Sequence, residues 1–317
     1  MSKRTQIWIS LGIVYVVWGS TYVGIKLAVR TLPPLLASGL RFLVASAILA
    51  IVLLVVRRSL RVTRHELLGA AIVGTMLLAI GGGLVHVVER HIDSSVAAMI
   101  AGSVPLQIIL WRTIAGDRVS RTTLGAAFVG LAGLALIVVP GGLDGGAIAI
   151  GLVVMLLATM SWSLGSFLSI RLTLPADPFV ATVYEMLVGG TVATIAATAL
   201  GQWSDLTRDA LQPGPVAAWA YLAVFGSVIG FTAYAWLLGN APISQVVTHQ
   251  YVNPLVAVVL GAAFLGERPN GLTAIGAALI LGAVIVTVRR ESRTIAEPVR
   301  EVETRDATGL SPVAYSD

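Results

Sequence analysis

The chain of 317 residues contains no cysteine, and only 12% of its residues are charged. The first absence excludes a disulfide framework, a thiolate nucleophile and a thiolate metal centre. The second excludes an ordinary soluble domain, where about 25% of residues are charged. Histidine is scarce as well: His65, His86, His91 and His249 show no metal-ligand spacing with carboxylates, so no metal is expected. No Walker A loop and no nucleophile elbow is present, which leaves no catalytic residue and no cofactor to assign. The net charge of +5 does not point to nucleic acid, because Lys and Arg cluster at the ends of apolar runs.

What the chain has is apolar length. Hydrophobic residues make up 56% of it, and the mean hydropathy is +0.89. A membrane-spanning helix needs about 20 mostly apolar residues. Ten stretches qualify: 7–27, 35–56, 67–88, 94–111, 122–139, 147–170, 179–200, 216–238, 243–265 and 271–288. The first follows Lys3-Arg4 but is too long for a signal peptide and lacks a clear small-residue cleavage site, so it reads as an uncleaved span. The connections are short and leave no room for an extramembrane catalytic domain. Residues 289–317 are polar, with mixed charge, and read as a disordered tail. With ten spans both termini share one side. That side carries fifteen Lys and Arg residues against four on the other, so the positive-inside rule places both termini in the cytoplasm.

The spans repeat. Trp18 and Trp162, Pro34 and Pro178, and Arg41 and Glu185 are each 144 residues apart; Pro105 and Pro254 are 149 apart. Gly116-Asp117-Arg118 precedes Gly266-Glu267-Arg268 by 150. The expected fold is therefore all-α and integral to the membrane, with repeats at 1–140 and 147–288. Each repeat holds five helices, so the second enters from the opposite face and the repeats are inverted, a common plan of secondary transporters.

A family resemblance follows from the residues themselves. Trp18-Gly19-Ser20-Thr21-Tyr22, Ile25-Lys26, Leu32-Pro33-Pro34 and Leu40-Arg41-Phe42 resemble the opening of an EamA-type domain, the repeat of the drug/metabolite transporter superfamily. Glu185-Met186-Leu187-Val188-Gly189-Gly190, Tyr251-Val252-Asn253-Pro254, Leu265-Gly266-Glu267-Arg268, and Gly276-Ala277 with Gly282 are similar to its second copy. The resemblance spans residues 8–288. It implies a ten-helix inner-membrane carrier, often an exporter of amino acids or other small metabolites. Two stretches depart from the pattern: Leu110-Trp111-Arg112 is less apolar than usual, and Thr248-His249-Gln250 is more polar.

Candidate site residues come from polarity inside apolar runs. Pro105 and Pro254 interrupt helices 4 and 9. A proline removes a backbone donor and clashes with the carbonyl four residues back; paired broken helices point to a transporter's binding site. His249, Gln250 and Asn253 lie within a turn of Pro254, and Gln107 is the strong hydrogen-bonder near Pro105. Such side chains face either a cavity or a neighbouring helix. Trp18 and Tyr22 in helix 1 are expected to face Trp162 in helix 6, with Tyr234 adding an aromatic from helix 8. Trp111, Trp203 and Trp219 suit the membrane interface. Glu185 is the candidate proton-coupling carboxylate; its rival is a structural role, as for Arg41. His86, Glu89 and Lys26 form either an outer vestibule or interfacial groups snorkelling to water. Gly226 and Gly230 read as a helix-packing GxxxG, and Glu267-Arg268 as a turn.

The sequence thus favours a secondary carrier for a small organic solute in an inner membrane, its partners being that solute and the lipid bilayer. The rivals are a membrane-embedded enzyme, which needs converging nucleophiles or metal ligands, and a non-transporting receptor or partner subunit, which leaves the repeat unexplained.

Overall fold

A computed structural model describes the backbone of residues 1–117, 119–142, 147–241, 246, 249–272, 274–286 and 289. It also describes the side chains of these residues except at 137–142, 147, 148, 239, 250 and 251. The expected tail, 289–317, lies outside the described residues apart from 289. Among those described the chain is helical, with no strand. Helices α1 (Lys3–Ala28), α2 (Pro34–Val55), α3 (Arg64–Val88), α4 (Ser94–Ile114), α7 (Pro178–Ala199) and α8 (Pro213–Leu238) are each long and apolar enough to cross a membrane. So is α6 (Ala147–Ser169), through its stretch Ala149–Ser169. Three further helices have shorter apolar segments: Arg121–Leu136 in α5 (Arg121–Gly142), Val252–Leu265 in α9, which starts at His249, and α10 (Ala274–Val286). All three border residues outside the described set.

Local sequence sets the helix ends. Pro34, Pro178 and Pro213 open α2, α7 and α8, where the missing N–H has no intrahelical acceptor to lose. Thr63 and Glu66 close a capping box at α3. Gly116 and Gly266 follow α4 and α9 with φ of 80° and 68°, a left-handed turn that glycine adopts without a Cβ clash. Large apolar side chains such as Ile51, Leu54, Phe128 and Phe264 point outward. In water that surface would be costly; in a bilayer it is the lipid face.

Packing is reciprocal. Helices α2 and α7 lie along each other, close enough that a Cβ on Gly39 would meet the Thr194 backbone. Helix α1 packs against α8 and α9, while α6 packs against α3 and α4. Helices α3 and α8 each widen into π geometry at mid-length, over Thr75–Gly82 and Leu222–Ile229. π segments leave backbone carbonyls for other donors and cluster at functional sites. A side chain takes up one such carbonyl in each: Trp18 Nε1 of α1 donates to Gly226 O at 3.2 Å, and Ser161 Oγ of α6 donates to Met76 O at 2.8 Å.

The two proline helices differ. Helix α4 breaks at Gly102-Ser103, between Ser94–Ala101 and Val104–Ile114, so Pro105 starts the second half instead of kinking a continuous helix. Its fixed φ suits a first turn. Pro254 sits inside His249–Leu260. The helices meet there: a Cβ on Gly102 would lie 3.2 Å from Pro254 Cγ.

Candidate functional site

On the α4–α6 side, residues four apart on each helix build a polar ladder. Gln107 Nε2 donates to Ser103 Oγ and to Thr159 Oγ1, both at 3.0 Å. One turn on, Trp111 Nε1 donates to Ser163 Oγ at 2.9 Å. Trp111 is therefore anchored on α6 by its ring nitrogen. Gln107 is 2% exposed, and its Oε1 has no hydrogen-bond partner among the described residues. A buried amide oxygen without a donor costs free energy comparable to a lost hydrogen bond.

On the α1–α8–α9 side the site is aromatic. The Trp18 ring lies 5.1 Å from Phe231, 5.0 Å from Tyr234 and 5.3 Å from His249, and Tyr234 and His249 are 5.4 Å apart. His249 is held by Nδ1 against Val246 O at 2.8 Å. Asn253, one turn further along α9, has a buried Oδ1 without a partner among the described residues. So does Thr232 Oγ1 in α8. The Gln250 side chain lies outside the described residues.

Other expected members sit elsewhere. Trp162 does not face Trp18 directly; it packs with Phe42, Leu78 and Met186, a cluster that Phe231 also touches. Phe231 thus links the two tryptophans. Tyr22 turns away from Trp18 toward the core that contains Val88, Ile92 and Met99. The backbone of Glu185 lies against Gly74.

Arg41 belongs to this centre more closely than the sequence suggested. It is 5% exposed, donates from Nε to Ser227 Oγ at 2.9 Å and lies 5.0 Å from the Phe42 ring centroid. The Gly226/Gly230 pair serves these side chains as well as helix contact. A Cβ on Gly226 would lie 3.0 Å from Arg41, and one on Gly230 2.5 Å from Trp18 Nε1. A lone arginine inside an apolar helix was the available signal.

The two ends of the molecule differ. At one end Lys26 Nζ donates to Ile92 O at 2.7 Å, and Arg90 donates to Val29 O and Leu32 O. Glu267, assigned only to a turn by the sequence, caps the start of α4. It accepts from Ser94 N and Oγ at 2.8 Å each and from Ser95 N at 2.9 Å. Burial opposes its charge, but hydrogen bonds from Ser95 and Ser94 outweigh it and hold the carboxyl below its usual range. At the other end, bounded by Met1 and Arg58, a groove of about 610 Å³ runs between α1, α2, α7 and α8. Its apolar walls include Ile13, Leu53 and Val228, and it reaches Thr232, next to Phe231. Among the described residues no group of His, Cys, Asp and Glu could hold a metal ion.

Comparison with known proteins gives one family, described as the EamA-like transporter family, which matches the chain twice, over residues 6–139 and 149–289. YedA, an inner membrane transporter of Escherichia coli K12, is 34% identical over 295 residues, covering 93% of this chain and 94% of its own. A probable amino-acid metabolite efflux pump of the same strain is 24% identical over 284 residues, covering 87% and 92%. A crystal structure with 20% sequence identity superposes with a TM-score of 0.60, covering 90% of this chain and 98% of that one; it shares the fold.

Proposed function

This chain belongs to the EamA-like transporter family, and we propose that it is a secondary carrier exporting a small amphipathic solute, an amino acid or related metabolite, by alternating access. The observation that carries the proposal is the pair of unlike surfaces around the Gly102–Pro254 contact. One is the aromatic group of Trp18, Phe231, Tyr234 and His249. The other is the Gln107 ladder, with Gln107 Oε1 and Asn253 Oδ1 buried and unpartnered. Aromatic faces take an apolar side chain, and unpaired amide oxygens take the donors of an ammonium or amide.

Alternating access needs two ends that close in turn. Hydrogen bonds gather the Glu267 end, whereas the Arg58 end keeps a groove that approaches Phe231. Reciprocal packing of α1 with α8–α9 and of α6 with α3–α4 supports two inverted five-helix repeats rocking about α2 and α7. Arg57, Arg58, Arg61 and Arg64 at the groove end support a cytoplasmic opening with both termini on that side. The efflux-pump name of the E. coli relative favours amino-acid metabolites and the outward direction.

The test is flux of labelled amino acids in proteoliposomes of the purified protein. Trp18→Ala, Gln107→Ala and Asn253→Ala should each lower flux while the protein stays monodisperse. Wild-type rates in all three would refute the site.

A further inference from the structure

Glu89 closes the C-terminal end of α3, with its backbone N–H on Val85 O at 3.1 Å. Its side chain is fully buried, at 0% exposure, and among the described residues neither carboxylate oxygen has a hydrogen-bond partner. An ionised carboxylate without donors or a close counter-charge is strongly disfavoured in such a place.

Among the described residues the surrounding groups supply one shared cation and no hydrogen bond to the carboxylate oxygens. From α1, Lys26 and Tyr22 face Glu89; from the turn after α9, Glu267 does. On α3 itself His86 is fully buried, with Nδ1 bound to Gly82 O at 2.7 Å, and Arg41 of α2 acts on it. Asp93 stands at the rim, in the field of Glu267 and Lys26. The one ammonium here, Lys26, acts on both Glu89 and Asp93. Glu267 holds its charge through Ser94 and Ser95, and the Lys26 Nζ is directed to Ile92 O. Among the described residues that arrangement leaves Glu89 only the field of a lysine that it shares with Asp93.

We propose that Glu89 is a proton-carrying group of this carrier. It holds one proton while the Glu267 end is closed. It releases that proton to water, becoming a carboxylate, when Glu267 leaves Ser94 and Ser95 and that end opens. On return the carboxylate takes a proton from water before it is buried again. The proposal rests on the carrier reading above, and it places proton coupling on Glu89 instead of Glu185.

Infrared spectroscopy of the full chain in lipid tests the protonation without any solute. Wild type at neutral pH should show the C=O absorption of a protonated carboxyl group, lost in Glu89→Gln and kept in Glu185→Gln. Glu89→Gln should melt at or above the wild-type temperature, because it mimics the neutral form. Absence of the band, its survival in Glu89→Gln, or clear destabilisation of that variant would overturn the proposal in favour of a structural pair with Lys26. A band present in choline chloride and lost in sodium chloride would overturn it in favour of a bound cation. In flux assays a several-fold stimulation by a pH gradient should vanish in Glu89→Gln while downhill flux persists; retained stimulation would overturn it. Failure of the carrier reading is separable: every variant would then lack flux while the infrared result stood.

Discussion

Glu267→Gln tests whether the hydrogen bonds from Ser94 and Ser95 latch this end in the proposed carrier. The carboxylate accepts three hydrogen bonds from the start of α4, two on one oxygen and one on the other. A hydrogen bond to a charged acceptor contributes about 1.5–3 kcal/mol, and a buried donor left unmet costs about 1–3 kcal/mol. Glutamine keeps one oxygen for Ser94 but turns an NH₂ toward the Ser95 N–H. One bond is lost, two are weakened, and a donor faces a donor. The terms are not additive, and solvent at the rim screens part of them, so we take about 2 kcal/mol against the closed state. At about 1.4 kcal/mol per tenfold, the open population rises roughly 30-fold. The chain has no cysteine, so Ile92→Cys, a buried position at this end, reports opening without background. Its labelling by a membrane-impermeant thiosulfonate should accelerate roughly 30-fold when Glu267→Gln is added. A change within about twofold, which corresponds to about 0.4 kcal/mol, in a folded protein would refute the latch.

Other perturbations follow from the same geometry. Gly230→Ala puts a methyl group 2.5 Å from Trp18 Nε1, so the indole must leave Gly226 O; overpacking of this kind costs about 1–3 kcal/mol and should lower both melting temperature and flux. Gly12→Ala in α1 meets nothing within 4 Å and should raise the melting temperature slightly, as removal of a mid-helix glycine contributes about 0.5–1 kcal/mol. Asp117→Asn breaks the 2.7 Å pair with Arg171, but exposed ion pairs contribute little, so melting should be unchanged within error. For Glu267 the folded carboxyl lies below its usual range, so its stabilisation is present above about pH 4.3 and is lost as pH falls through the depressed value. Melting of wild type should therefore exceed that of Glu267→Gln at pH 7 and converge with it in acid.

Much of the architecture was legible because a bilayer demands it. Apolar length places a helix whatever its neighbours are, and Pro34, Pro178 and Pro213 mark starts by local chemistry alone. The prolines at 105 and 254 singled out two helices that lie close together, with a Cβ on Gly102 falling 3.2 Å from Pro254 Cγ. The partner of a side chain was harder to read. Trp18 was paired with Trp162 by repeat position, yet its ring faces α8 and α9, because each first helix packs into the other repeat. The Trp111 partner, Ser163, could not be read because sequence records the amphipathic ring but not a hydroxyl one helix away. Glu267 resembled a turn residue because the N–H groups it caps are 173 residues distant. Glu89 resembled an interfacial acid because its neighbour in the chain is Arg90, whose guanidinium in fact turns to Val29 O and Leu32 O.

The departures from symmetry carry the chemistry. The π segments of α3 and α8 each offer a carbonyl to a first helix, but α8 receives an indole N–H and α3 a serine hydroxyl. The repeated frame is thus fitted with an aromatic lining on one side and hydroxyl and amide groups on the other. The acidic turn after each proline helix divides in the same way. Asp117 pairs with Arg171 and Arg112 at an exposed surface, a bond that water weakens. Glu267 is buried on the amide hydrogens that begin α4, where helix-terminal charge and low solvation strengthen the same kind of contact. In the proposed carrier, two repeats with unequal latches favour closure at one end. A solute or a proton that shifts the balance then needs to supply only the difference between the latches, not the full strength of either.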